Sequence, residues 1–287
     1  EYDINSAYPS VIVDLPSLKY GKWIKVKEIN SKETIGYYKA VFKIPIQYIS
    51  PLSLRLKGKL IVNPSGIFAT WITWYEADLL RDYIKKLSYG YEYVAWKKEY
   101  KPFDKPMRQL YELKRKYKHT NETFYWLVKL VMNSLYGCFV ERHRKVDGTI
   151  TSGILFNSIY GSIITAKTRW KLLKDIGIDN YDKCVAFHTD SVISTEPLKL
   201  PISDKLGDWD KEAENYGVIL KSGIYQIGKV VKRRGFGLKS VNWIEQLYKF
   251  ADEMEITIEK ERAMKIAECL MRFHNIDRVN IFYEQTK

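Results

Sequence analysis

The chain has little cysteine, little histidine, no uninterrupted apolar span and too few acids to balance its bases. Its three cysteines, Cys138, Cys184 and Cys269, are odd in number and far apart, with no Cys-x-x-Cys pair and no histidine at ligand spacing. That pattern excludes a disulfide framework and a structural zinc site, and it fits a reducing compartment. The longest apolar run, near Leu60 to Tyr75, is broken by Asn63, Pro64 and Gly66 and is too short to cross a bilayer. No signal-peptide pattern opens the sequence, and there is no internal repeat or low-complexity segment. A cytoplasmic protein without membrane contact is therefore expected. Against 34 Asp and Glu stand 47 Lys and Arg, a formal charge of +13, which favours a polyanionic partner. Nucleic acid is favoured over a membrane surface, because no basic amphipathic helix with a bulky apolar face stands out.

What is present is ample core material. Of 287 residues, 46% are hydrophobic and 14% aromatic, enough for one elaborated domain or two or three subdomains. Strands and turns are expected over residues 1 to 75, with β-branched and aromatic runs at Val11-Ile12-Val13, Tyr37 to Pro45 and Lys59 to Val62. Thr73-Trp74-Tyr75-Glu76 reads as a capping box opening a helix to Leu87. A second helix is expected from Met107 to about His119, then the helix containing Lys129, the two forming an antiparallel pair. Asp147-Gly148 signals a hairpin, and Ser158 to Leu173 a further helix. Cys184 to Phe187 and Val192 to Ser194 read as strands flanking a tight turn that presents Asp190. Ile224 to Ile227 and Lys229 to Arg234 read as a hairpin with a basic second arm, and from Asn242 onward the pattern reads as mostly helical. Both ends read as cut from a longer polypeptide.

The stretch Lys129-Leu130-Val131-Met132-Asn133-Ser134-Leu135-Tyr136-Gly137 organises the rest. At helical period, Lys129, Asn133 and Tyr136 share one face, so a cation, an amide and a phenol point at something other than a core. A lysine suits a phosphate, an aromatic ring suits a base, and Gly137 lets the backbone turn or come close. Far away on either side lie Asp3-Ile4-Asn5-Ser6-Ala7-Tyr8-Pro9-Ser10 and His188-Thr189-Asp190-Ser191. Phosphoryl transfer needs divalent cations held by carboxylates, and Mg²⁺ takes few protein ligands. Two aspartates at strand ends suffice, and Asp3 and Asp190 qualify.

These three segments, in this order, resemble the three catalytic motifs of the family B DNA polymerases. The short separations and Leu206-Gly207-Asp208-Trp209-Asp210-Lys211-Glu212 resemble the protein-primed branch of viruses and mobile elements. The resemblance implies an α+β fold: a polymerase palm with an antiparallel sheet, inserted helical fingers and a partial thumb. It divides the chain into palm with an insertion (1–100), fingers (101–139), palm (140–240) and thumb (241–287). It implies Asp3 and Asp190 as catalytic metal ligands, with the Ile4 carbonyl completing a metal shell around two Mg²⁺ ions, Mn²⁺ being the alternative. Ser6 and the Ala7 backbone would contact the triphosphate of a dNTP, and Tyr8 would exclude a ribose 2′-hydroxyl. Lys129 would bind phosphate, Asn133 would position the nucleotide, and Tyr136 would line the nascent base pair. Lys118 would be the second triphosphate cation, with Lys114 and Arg115 as competitors. Tyr225, Lys232, Arg233 and Arg234 would lie against primer-template DNA. A terminal priming protein is a further implied partner, and the setting is the interior of a host or infected cell.

Three departures qualify the pattern. The motif around Asp190 has His188 where family members usually have a first aspartate, which leaves room for a changed metal preference or a lower rate. The primer-contacting Lys-x-Tyr reads Gly223-Ile224-Tyr225, so only the tyrosine carries over. The interval from Phe139 to Ser158 is too short for the full second insertion associated with strand displacement. Template-directed DNA synthesis is the expected function. The alternatives are a non-catalytic remnant that binds primer-template, and a primase-polymerase or terminal transferase.

Overall fold

The computed structural model describes residues 1–30, 32, 35–46, 52–55, 61–97, 100–145, 147–221, 223–233, 244–245, 257–263 and 280–286. Two compact units divide the chain: Tyr2–Asp210, and Glu1 together with Lys211–Lys287. The fold is a mixture of helices and antiparallel sheets, as the sequence predicts.

The larger unit opens on β1 (Tyr2–Ile4) and α1 (Ala7–Ile12), followed by β2 (Gly21–Val26), β3 (Ile35–Ile44), a ribbon of β4 (Leu54–Arg55) and β5 (Ile61–Val62), and β6 (Gly66–Thr73). Next come α2 (Trp74–Leu79), a 3₁₀ turn at Arg81–Tyr83 and β7 (Ile84–Ala95). The paired helices α3 (Asp104–Tyr117) and α4 (Glu122–Val140) lead to a hairpin of β8 (Arg142–Arg144) and β9 (Ile150–Ser152). The unit finishes with α5 (Ser158–Ile176), a 3₁₀ turn at Ile178–Lys183, β10 (Cys184–Phe187), β11 (Ser191–Ser194) and β12 (Trp209–Lys211). The smaller unit contains β13 (Gly217–Lys221), β14 (Ile224–Ile227), β15 (Val230–Arg233), β16 (Thr257–Ala263) and β17 (Asn280–Thr286).

Two four-stranded sheets dominate the larger unit, with orders β10-β11-β1-β12 and β2-β7-β3-β6. In the first, Tyr2 and Ile4 point inward to join Ala7, Leu172, Val192 and the fully buried Trp209, while Asp3 between them faces the other way. In the second, alternation along β3 buries Tyr38, Ala40, Phe42 and Ile44 and leaves Lys39 and Lys43 exposed. One long helix, α5, supplies Ile163, Ile164 and Ala166 to the main core and Leu172, Leu173 and Ile176 to the core beneath β1.

Several local expectations give way to longer-range packing. Val11 and Ile12 close a helix, not a strand: Val11 and Ile12 are buried in the main core and Ala7 in the core beneath β1, and Pro9 sits in the first turn, where its missing N–H costs nothing. The capping box at Thr73 forms, with Thr73 N donating to Glu76 Oε2 at 2.8 Å, but α2 stops at Leu79. Beyond it Ile84 and Leu87 lie in β7, whose ladders to both β2 and β3 outweigh helical periodicity. The second helix begins at Asp104, three residues before Met107, with Pro106 accommodated in its first turn. Gly137 neither turns nor ends α4, which runs on to Val140, and a side chain there would meet only open space. In the tail, the described segments form an antiparallel β16–β17 pair where helix is expected. Pairing with the Ile281-Phe282-Tyr283 run overrides the helix propensity of Glu259-Lys260-Glu261-Arg262. Arg234, with residues 56–60, lies outside the described residues.

Candidate active site

Asp3 and Asp190, remote in sequence, are brought together by one strand pairing. β1 runs antiparallel to β11 with Asp3 directly across from Ser191, and Ile4 N donates to the Asp190 carbonyl at 2.9 Å. The turn bearing Asp190 is closed by His188 N donating to Ser191 O at 2.9 Å. His188 therefore occupies the opposite end of the same tight turn, on the strand side.

Between β1 and α1 the chain makes a strained corner. Ser6 has φ 51° and ψ 56°, the left-handed region, and is the one non-glycine residue with positive φ among the described residues. Such a conformation costs on the order of 1 kcal/mol and persists only when the surroundings fix it. Here Asn5 is clamped three ways: its N–H donates to Asp208 O at 2.8 Å, its carbonyl accepts from Gly207 N at 2.9 Å, and its Nδ2 donates to Ser203 O at 2.8 Å. Gly207 itself has φ 86°, and a Cβ there would come within 2.8 Å of Ser10 Cβ. The Leu206-Gly207-Asp208-Trp209 segment is thus the brace behind the corner.

The corner points Ser6 Oγ at α3, where Lys114 Nζ donates to it at 2.8 Å. Burial lowers the Lys114 pKa, and the neighbouring Lys129 and Lys118 lower it further, against the opposing pull of Asp3 and Asp210. Lys114, half-buried, is thus the cation seated at the corner, whereas Lys118 caps the end of α3, exposed, and reaches the site through its field. Asp210 is an acid that sequence reasoning passed over. It alternates with the buried Trp209 on β12, next to β1, and so faces away from the core as Asp3 does.

α4 contributes the third wall. Lys129 Nζ lies 4.8 Å from the Trp126 ring centroid and 5.9 Å from that of Tyr125, one turn back on its own helix. Asn133 is exposed on the same face, and Tyr136 packs on Tyr8 with ring centroids 4.5 Å apart and planes inclined at 51°. Burial pushes the Tyr8 pKa up to about 12, helped by Tyr136 and Asp190, so its hydroxyl stays protonated. Ala7 and Ile4 are buried beneath these groups. Asp3, Ser6, Tyr8, Lys114, Lys129, Tyr136 and Asp190 are thus linked as neighbours, by strand pairing, hydrogen bond, ring contact or charge.

The residues expected at DNA lie in the smaller unit. β14 and β15 form the predicted hairpin, with Tyr225 across from Lys232 and Ile224 across from Arg233. Tyr225 is only 3% exposed, and its hydroxyl donates to the Glu1 carboxylate, so this ring supports the hairpin from inside instead of lying open on it.

Among the described residues no group of three or more His, Cys, Asp or Glu could hold a metal ion, and no helix is long and apolar enough to cross a membrane. Two hard carboxylates and a carbonyl are nonetheless a suitable donor set for Mg²⁺, which keeps waters and phosphate oxygens for its remaining positions.

Residues 1–162 match the family model described as DNA polymerase type B, organellar and viral. The chain is 26% identical over 259 residues to a DNA polymerase of Acidianus bottle-shaped virus, covering 83% of this chain and 37% of that protein. It is 29% identical over 162 residues to a DNA polymerase of Kluyveromyces lactis, covering 52% of this chain and 16% of that one. Among solved structures, the phi29 DNA polymerase complexed with primer-template DNA and incoming nucleotide substrates superposes over the whole chain. The TM-score is 0.67 at 18% identity, over 57% of the phi29 protein. The chain thus spans a minor part of the curated relatives it matches and somewhat over half of the phi29 polymerase.

Proposed function

The chain belongs to the organellar and viral type B DNA polymerases, and from that premise we propose that it is the nucleotidyl-transfer core of such an enzyme. It adds a deoxynucleotide to a primer 3′-hydroxyl, opposite a template base, with release of pyrophosphate. The observation behind this reading is the β1–β11 register, which sets Asp3 beside Asp190 within reach of the Lys114–Ser6 pair.

Asp3, Asp190 and the Ile4 carbonyl would hold two magnesium ions. When bound, these ions favour the ionised 3′-oxygen and neutralise the leaving pyrophosphate. Lys114, Lys118 and Lys129 form a crowded cationic group whose mutual repulsion is relieved by a polyanion, and a triphosphate supplies that charge at the open side of the carboxylates. Ser6 Oγ and the backbone at Ala7 position the phosphates, and Asn133 the nucleotide. Tyr8, pinned by Tyr136, sets a floor beneath the sugar. In this scheme Lys232, Arg233 and Arg234 meet the primer-template backbone, where contacts give salt-sensitive affinity without base preference. The division into palm, fingers and thumb, and a terminal priming protein as partner, belong to the same proposal.

The test is extension of a primed template by the purified chain with Mg²⁺ and one dNTP at a time. Incorporation should follow the template base. Incorporation without a template, or initiation on unprimed single strands, would replace this reading with a terminal transferase or a primase-polymerase.

Two substitutions probe the pocket. Lys114→Met should raise the KM for dNTP by roughly ten- to hundredfold, the worth of a hydrogen bond to a charged group. The same variant should melt at a higher temperature. Burial and like charges depress the Lys114 pKa in the folded chain, so the native state disfavours this ammonium. The Lys114 contribution to stability therefore rises with pH between the lowered folded pKa and the ordinary 10.5, and the variant should lose that slope. Tyr8→Val should relax discrimination against ribonucleotides by roughly ten- to hundredfold, read as the ratio of kcat/KM for dNTP and rNTP.

A further inference from the structure

We propose that the outer face of the β2-β7-β3-β6 sheet is a second nucleic-acid site, one that binds single-stranded DNA by base stacking. On the outer face the register sets Lys25, Lys39, Lys43 and Lys86, while the single acid of the four strands, Glu92, shares the other face with Lys22. Glu92 points to the inner face, 5% exposed, where its Oε1 accepts from Tyr38 Oη at 2.5 Å and from Asn30 N at 3.0 Å. The outer face therefore presents no carboxylate at all from its strands.

Its rings are grouped and interleaved with cations. Cross-strand pairing places Lys25 beside Tyr91, Lys39 beside Tyr89, and Trp71 beside Lys39. Trp71 and Tyr91 lie nearly parallel, 17° between planes and 6.4 Å between centroids, and Tyr89 meets both edge-on at 5.5 and 5.9 Å. Lys25 Nζ stands 4.9 Å from the Tyr89 centroid. Trp71 is 46% exposed, Tyr91 40% and Trp23 39%, which leaves ring surface open to solvent on β6, β7 and β2 of this sheet.

A sheet face of this kind matches what unpaired bases need: flat π surfaces for stacking, which is tolerant of sequence, and ammonium groups between them for the phosphates. A duplex hides its base faces and would use only the lysines. A protein partner is a poorer match, because lysines are depleted from the cores of such interfaces. The surface lies on the sheet that does not contain Asp3 or Asp190, and the proposal is independent of the polymerase reading.

The experiment is anisotropy of a labelled oligo(dT) with the whole chain, without metal or nucleotide, together with ultraviolet cross-linking of a bromodeoxyuridine oligonucleotide and peptide mapping. Trp71→Ala and Tyr91→Ala should each weaken oligo(dT) binding roughly 5- to 150-fold, with Trp71→Phe retaining most of it. Lys25→Gln and Lys39→Gln should each reduce the log–log salt slope by about 0.7. Cross-links on the unaltered chain should fall in peptides of β6 and β7. Cross-links confined to α4, or ring variants that lose duplex and single-strand binding equally, would overturn the proposal. Because no catalysis is measured, a chain without polymerase activity would still give the expected result, and loss of this site would leave templated incorporation to be judged separately.

Discussion

Replacing Asp190 or Asp3 by Asn is expected to lower templated nucleotide incorporation on the order of a thousandfold or more, with the fold intact. Asparagine keeps the size and one oxygen of the side chain but removes the negative charge that holds a divalent cation, and a metal ion is worth several kcal/mol to the transition state. Both aspartates lie outside the buried core, so melting should shift little. The informative measurement is single-turnover extension of a primed template, with primer-template affinity measured alongside. Retained DNA binding with lost incorporation assigns the pair to chemistry. Unchanged incorporation in either variant would sink the site assignment. A wild-type chain that binds primed DNA but never extends it, in Mg²⁺ or in Mn²⁺, would favour the non-catalytic remnant and turn attention to His188.

The largest expected effect on stability is at Trp209, where substitution by Ala should cost about 3–5 kcal/mol. Its side chain is fully buried against Tyr2, Ile4, Val192 and Leu198, and its Nε1 donates to Asp175 Oδ2 at 2.9 Å. Removing it leaves a cavity under β1 and deprives Asp175 of one of two donors, the other being Lys171 Nζ at 2.7 Å. At roughly 2–4 °C per kcal/mol for a unit of this size, the melting temperature should fall by about 10 °C. Trp209→Phe, which keeps a ring but no donor, should lose a smaller part of that. A Trp209→Ala chain as stable as wild type would mean that the β12 brace is not coupled to the core.

Much of the site was legible in the sequence because its residues sit in short contiguous segments. Asp3 to Tyr8, Lys129 to Tyr136 and His188 to Ser191 each form one local element, and the structure links all three as neighbours. What sequence reading missed depends on spacing through space. The resemblance implies Lys118, with Lys114 and Arg115 as competitors, and the sequence does not choose between them because the choice depends on how α3 lies against the corner at Ser6, where Lys114 donates to Ser6 Oγ. Asp210 was invisible because its relevance depends on β12 lying beside β1. The resemblance implies that Tyr225 lies against primer-template DNA, whereas β14 is buried at all four positions and the Tyr225 hydroxyl donates to the Glu1 carboxylate, a burial that no alternation in the sequence announces. The stop of α2 and the β16–β17 pairing escape the sequence for a shared reason. Good helical periodicity was outbid by ladders formed with distant strands.

The order of the sheet holding Asp3 has a bearing on biogenesis. β1 is an interior strand, flanked by β11 and β12, and Tyr2 finds its partner only at Val192. During synthesis at about 5–20 residues per second, the first strand therefore waits roughly 10 to 40 s for a neighbour. A contact spanning so much chain is slow to close and late to form. The two helices and the other large sheet, built from closer segments, can be in place beforehand, so Asp3 and Asp190 are brought together only after the scaffold around them and after nearly all of the larger unit has left the ribosome.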